Sequence, residues 1–144
     1  MTKHLYDTHF HLDLQKDKPK AIETITKNGI YTIAMTNLPD LYQKEVSLYG
    51  QKYIRIALGF HPELVHEYPN KIPLMWKYLA EARYIGEVGL DFTDKSHTKE
   101  QIAFFSELIA RCKNDSNKII SIHSRGAEKE VIDIIGTDFK FTPI

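Results

Sequence analysis

Apolar positions along the chain fall into short runs separated by longer amphipathic stretches. Leu5-Tyr6-Asp7 opens as a brief strand. After a polar segment, Pro19 to Lys27 reads as a helix closed by Asn28-Gly29, a residue pair suited to a helix stop. Ile30 to Met35 is a β-branched strand, and Pro39 to Tyr49 a second helix followed by Gly50. Tyr53 to Leu58 is a strand ending at Gly59, Ile72 to Ala82 a helix with Pro73 in its first turn, and Tyr84 to Val88 another strand. Thr98 to Lys113 has the clearest helical period. Thr98 and Gln101 stand at capping-box spacing, and Ile102, Phe105, Ile109 and Cys112 share one face. Ile119 to Ile122 is a strand, Ala127 to Ile135 a helix, and Phe139 to Ile144 the start of a sixth strand.

Five βα units and a fragment imply an α/β fold with parallel strands joined by right-handed crossovers. The pattern alone fits an α/β barrel or a doubly wound open sheet, since both build their sites at the C-terminal ends of the strands. A closed eight-stranded barrel takes roughly 200 residues or more. A chain of 144 residues that stops inside an apolar run is therefore expected to be an incomplete barrel, truncated or completed by another chain.

Composition narrows the class further. With 42% hydrophobic and 26% charged residues, the chain has the makeup of one globular domain spanning 1–144. Nineteen basic and nineteen acidic residues cancel, which argues against a protein that coats nucleic acid by bulk charge. A single cysteine, Cys112, excludes an internal disulfide and thiolate zinc spacing. No leader-like apolar run or membrane-length segment is evident, so the expected location is the cytoplasm.

The chemistry gathers at the strand ends. In Asp7-Thr8-His9-Phe10-His11-Leu12-Asp13, residues two apart on an extended chain point to one side, so His9 and His11 present paired imidazoles suited to chelation. In Gly86-Glu87-Val88-Gly89-Leu90-Asp91, a carboxylate between glycines and apolar residues is a poor solvated charge and a good cation ligand. His123 follows the apolar run Ile119-Ile120-Ser121-Ile122. Each residue alone has an ordinary structural reading: a packed or capping histidine, or a glutamate paired with arginine. Together they make a mixed imidazole and carboxylate set fitting Zn, Mn, Co or Mg. Two further groups read as substrate handlers: His61 in Gly59-Phe60-His61-Pro62-Glu63, and Arg125 beside His123. Arg125 has a competing reading as a surface ion pair with Glu128 or Glu130. Asp91 is either an orienting group for a ligand or water, or a turn residue. His4, His66 and His97 are assigned no role.

In order and spacing, the four motifs 7–13, 59–62, 86–91 and 122–127 together resemble the TatD-like deoxyribonucleases, metal-dependent hydrolases of the amidohydrolase type. The resemblance implies a TIM barrel that hydrolyses DNA phosphodiester bonds with divalent ions (Mg, Zn or Mn), two in the complete enzyme. It assigns His9, His11 and Glu87 to a first metal, and Glu87 with His123 to a second. His61, Asp91 and Arg125 fall near the substrate, and Glu87, His61, Arg125 and Asp91 form the catalytic set. The family carries two further ligands, a histidine after the sixth strand and an aspartate after the eighth, which this sequence does not contain. Phe92 stands where the family often has Tyr, and Asn117-Lys118 where it usually has Pro. With the short segment after Asp91, these departures resemble the divergent TatD-like component of Qat-type anti-phage systems. The expected partners are a DNA substrate and a protein or second chain completing the barrel, with no membrane. Two other readings stand beside this one: a non-catalytic subunit of a larger assembly, and a metal hydrolase acting on an amide, ester or lactone.

Overall fold

The computed structural model describes residues 4–144. Strand β1 (Leu5–Phe10) is followed by α1 (Lys18–Asn28), β2 (Ile30–Ala34), α2 (Pro39–Tyr49) and β3 (Ile54–Ile56). Then come α3 (Ile72–Leu79), β4 (Tyr84–Asp91), α4 (Thr98–Cys112), β5 (Ile119–Arg125), α5 (Glu128–Ile135) and β6 (Thr142–Pro143). The strands run parallel in chain order, β1-β2-β3 and β4-β5-β6. A parallel bridge between Leu58 and Ile85 joins the two trios into one arc. This is the TIM-barrel type of α/β fold, present as an incomplete barrel of five βα units and a short sixth strand.

Local chemistry explains the element ends. Asp17 accepts the Lys20 N–H to start α1, and Gly29 closes it in the left-handed conformation at φ 62°. The expected end of α3 at Ala82 is too late. The helix stops at Leu79, because buried Lys118 extends its ammonium into the turn and donates to the carbonyls of Leu79, Ala80 and Ala82. Lys118, immediately before β5, thus caps a helix whose last residue lies 39 residues upstream.

The α4 face also differs. Phe104, Phe105, Leu108, Ile109 and Cys112 are buried, whereas Ile102 is only half-buried. The capping box does not form. Gln101 turns inward instead, and its Oε1 accepts the Asp91 N–H at 2.8 Å. β6 starts later than Phe139: Phe141 is buried in the core, Thr142–Pro143 form the strand, and Ile144 continues its bonding to Ile120 and Ile122. The strands bearing chemistry run longer than the apolar periods suggested: β1 to Phe10, β4 to Asp91 and β5 to Arg125.

Two apolar clusters support the arc. The larger packs Ile85, Val88 and Leu90 of β4 and Ile120 of β5 against α3, α4 and Val131 of α5. The smaller holds Leu12, Ile25, Ala34, Ile54 and Ile56 around the first three strands. Burial pushes the Cys112 thiol up to about 11, so it behaves as a small core hydrophobe.

Candidate metal centre

The two irregularities in the sheet register fall on candidate ligands. One lies between Asp7 and Phe10 of β1, around His9. The other lies between Ile85 and Val88 of β4, around Glu87. Such interruptions re-aim a side chain that regular alternation would place elsewhere. At β4 the glycines make this possible. A Cβ on Gly86 (φ +154°) would stand 2.6 Å from Met35 Sδ, and one on Gly89 (φ +142°) only 2.0 Å from the backbone oxygen of His123. The Glu87 backbone is fixed from both sides, its N–H donating to the Thr36 carbonyl and its carbonyl accepting the Phe60 N–H.

Glu87 is buried, with its two oxygens facing different imidazoles. Oε1 lies 2.6 Å from His123 Nδ1. Oε2 lies 3.1 Å from His11 Nε2, 3.7 Å from His9 Nε2 and 3.9 Å from His61 Nε2. The His9 and His11 Nε2 atoms are themselves 3.2 Å apart. Two potential ligand groups follow, His9/His11/Glu87 and His61/Glu87/His123, each with donor atoms within 4.8 Å of one another. Glu87 belongs to both.

Partners behind the imidazoles set their orientation. His123 Nε2 lies 2.8 Å from Asp91 Oδ2, so a proton there leaves Nδ1 to face Glu87. His9 Nδ1 lies 2.7 Å from the hydroxyl of buried Ser121, which directs His9 Nε2 to the cluster. His61 Nδ1 accepts the Glu63 N–H at 3.3 Å, which places the proton of the neutral ring on Nε2, facing inward as a donor. Asp91 serves twice: Oδ2 meets His123, while Oδ1 accepts the Thr93 N–H as a turn residue.

The electrostatics agree with this geometry. Burial would raise the Glu87 carboxyl, but hydrogen bonds from His123 and His9 and the neighbouring imidazoles hold it well below the usual carboxylate range. Burial likewise works against Asp91, and its bonds with Thr93 and His123 win, keeping it low. The hydrogen bond to Glu87 raises His123 against its own desolvation. Burial lowers His61, against the raising charge of Glu87. Converging imidazole nitrogens around a buried, ionised carboxylate are a donor set that fits a divalent cation of the Zn, Mn or Mg kind.

The structure brings His9, His11, His61, Glu87, Asp91 and His123 together. His61 sits closer to the second group than its sequence reading as a substrate handler implied. Arg125 is exposed at the end of β5 and takes no part in the cluster. Neither Glu128 nor Glu130 pairs with it among the described residues; Glu128 instead accepts the Gly126 N–H. Sequence reasoning missed Ser121 and Gln101. Ser121 stands two residues before His123 on the same strand, a spacing that signals a shared side. Gln101 carried no such signal, because its capping-box position supplied another explanation.

A family model described as TatD related DNase matches residues 6–141. An uncharacterised metal-dependent hydrolase of Methanocaldococcus jannaschii is 25% identical over 135 residues, covering 89% of this chain and 53% of that protein. One from Buchnera aphidicola subsp. Baizongia pistaciae is 27% identical over 148 residues, covering 91% and 53%. The crystal structure of YjjV, a TatD homolog from Escherichia coli K12, superposes with a TM-score of 0.74 at 19% identity, covering 90% of this chain and 54% of that one. The chain thus spans about half the length of the curated relatives it matches. Among the described residues no helix is long and apolar enough to cross a membrane.

Proposed function

The chain belongs to the TatD-related DNase family, and from that premise we propose that it supplies the first ligand set of a divalent-metal hydrolase cleaving phosphodiester bonds in DNA with an activated water. The observation that carries this reading is Glu87, one carboxylate set between two groups of imidazoles. His9, His11 and Glu87 would hold one ion, and Glu87 with His123 a second. Bound divalent ions supply the charge that activates water and offsets negative charge developing on phosphoryl oxygens.

The chain's own residues do the rest. Asp91 holds the His123 ring by its Nε2–H, and Ser121 holds His9 by Nδ1. His61 presents a neutral N–H donor toward the centre, where a substrate oxyanion can accept it. Arg125, at the rim of the strand ends, is positioned to meet a phosphate arriving from solvent.

A partner completing the barrel belongs to the same proposal. Among the described residues β1 pairs only with β2, and β6 only with β5. Leu5, Tyr6 and Ile144 are exposed along these edges. A further segment or second chain that covers them would bring the remaining ligands of the family. The same open edges favour a second reading, in which the chain is a non-catalytic subunit of an assembly. Phe92, the short segment after Asp91 and Asn117-Lys118 are the residues on which an anti-phage setting rests.

The test compares a DNA oligonucleotide with a panel of lactones, esters and amides, assayed with Mg, Mn or Zn, for the chain alone and with its partner. DNA cleavage that disappears in Glu87→Ala is the expected result. Wild-type nuclease rate in Glu87→Ala, or turnover of the panel without DNA, would reject the reading. Loss of metal binding with intact partner assembly would favour the subunit reading.

A further inference from the structure

Asp91, which holds the His123 ring behind the metal centre, is itself bonded at three points. Its Oδ2 lies 2.8 Å from His123 Nε2, and its Oδ1 accepts the Thr93 N–H at 2.9 Å. The third bond is on the backbone. Phe92 donates its N–H to the Arg125 carbonyl of β5, so the preceding Asp91 N–H turns to the opposite edge of β4. On that edge Phe60 donates to the Glu87 carbonyl, and the chain then leaves in the turn at Pro62–Leu64. The acceptor for Asp91 comes instead from α4, whose Gln101 Oε1 takes the Asp91 N–H at 2.8 Å. Gln101 is 2% exposed, and α4 buries Phe104, Phe105 and Leu108 in the core beside it. The Asp91 backbone is thereby tied to a helix anchored in the large apolar cluster.

We propose that Gln101 is a positioning residue for the His123 half of the metal centre, acting through the Asp91 backbone to aim the carboxylate that orients His123. This deepens the metal reading given above and rests on it. Each link is a hydrogen bond: Gln101 Oε1 to the Asp91 N–H, Asp91 Oδ2 to His123 Nε2, and His123 Nδ1 to Glu87 Oε1 at 2.6 Å. An aspartate carboxylate stands only two torsions from its own backbone, so fixing the Asp91 N–H fixes where Oδ2 meets the ring. The other ring nitrogen is then turned to Glu87. The first ligand group shares only Glu87 with this chain of bonds, because His9 is oriented from elsewhere by the Ser121 hydroxyl. A purely structural role for Gln101 would be to satisfy a buried N–H, whose loss lowers stability and leaves His123 as it was. Positioning requires that the effect reach the His123 ring and the ion it would hold.

The test uses Gln101→Leu and Gln101→Glu in the full 144-residue chain. Two quantities are read: exchange of the His123 ring Nε2–H with water, by NMR in metal-free protein, and the Co²⁺ titration step that His123→Ala removes. Gln101→Leu should speed the ring-proton exchange and weaken that Co²⁺ step, each by about tenfold, with the other step unchanged within about twofold. Gln101→Glu, which keeps an acceptor, should restore both. A His123 ring proton that exchanges as in wild type, with only urea stability lowered, would overturn the proposal, and so would equal weakening of both Co²⁺ steps. If Gln101→Leu does not fold, Gln101→Met is read in the same way. The ring proton is read without metal, so a wild-type chain that binds no Co²⁺ counts against the metal reading, and the ring proton then decides the proposal.

Discussion

The two halves of the arc hold their ligands differently. β4 and β5 rest on the large cluster of α3, α4 and α5, and their ligands are tied to each other: Glu87 to His123, and His123 to Asp91. β1 to β3 rest on a cluster of only a few buried side chains, and near its start β1 leaves Tyr6 69% exposed. The exposures of the ligands follow this division, at 8% for the Glu87 side chain and 37% for His9. One half of the centre is organised by protein bonds before any ion arrives. The other half presents imidazoles that an ion would draw together. The second half is the more rigid template, and the first is the more exposed.

Core truncation should expose this difference most strongly. Phe105 is fully buried in the large cluster, and Phe105→Ala is expected to cost about 3–5 kcal/mol. Ile54→Ala in the small cluster should fall near the lower end of the range for such changes, about 2 kcal/mol. Urea denaturation measures both, and equal losses would remove the contrast between the halves.

The pH dependence of stability separates the halves next. Glu45, in the first half, has its carboxyl raised to about 7 in the fold. Below its unfolded value the group is protonated in both states. As pH rises toward 7 the unfolded state ionises first, so stability falls, by on the order of 2–3 kcal/mol. Glu45→Gln should flatten that part of the profile, and an unchanged slope would refute the burial assigned to Glu45.

His123 acts in the second half, with a smaller effect of opposite origin. Its raised pKa contributes stability that is full below about pH 6.5 and lost as pH rises through the folded value. The lowered Glu87 and Asp91 contribute above about pH 4, and their share is lost as pH falls through their folded values. Between these limits His123→Ala in metal-free protein should cost about 2 kcal/mol, and His9→Ala less than about 1 kcal/mol. Comparable losses for the two histidines would show that β1 is as organised as β5.

Much of this division was legible in the sequence, and the exceptions share a cause. The paired imidazoles of His9 and His11, the carboxylate between Gly86 and Gly89, and His123 after its apolar run all announce themselves by local spacing. The strand and helix order follows from period alone. What local spacing could not show are partners from distant segments. Lys118 ends α3 from the start of β5, and Gln101 leaves its capping position for the Asp91 backbone. Phe141 enters the core, so β6 starts only at Thr142. Glu45 on α2 gave no local sign of its burial. Arg125, read as a substrate handler, lies exposed at the end of β5 and outside the ligand cluster.

The central claim is that Glu87 is shared between two groups of imidazoles. Anomalous diffraction at the metal edge, from crystals grown with Mn or Zn, tests it most directly. The account predicts a peak about 2.0–2.2 Å from a Glu87 carboxylate oxygen and close to Nε2 of His9 and His11. A metal peak elsewhere, or one at the histidines with Glu87 turned away, would contradict it.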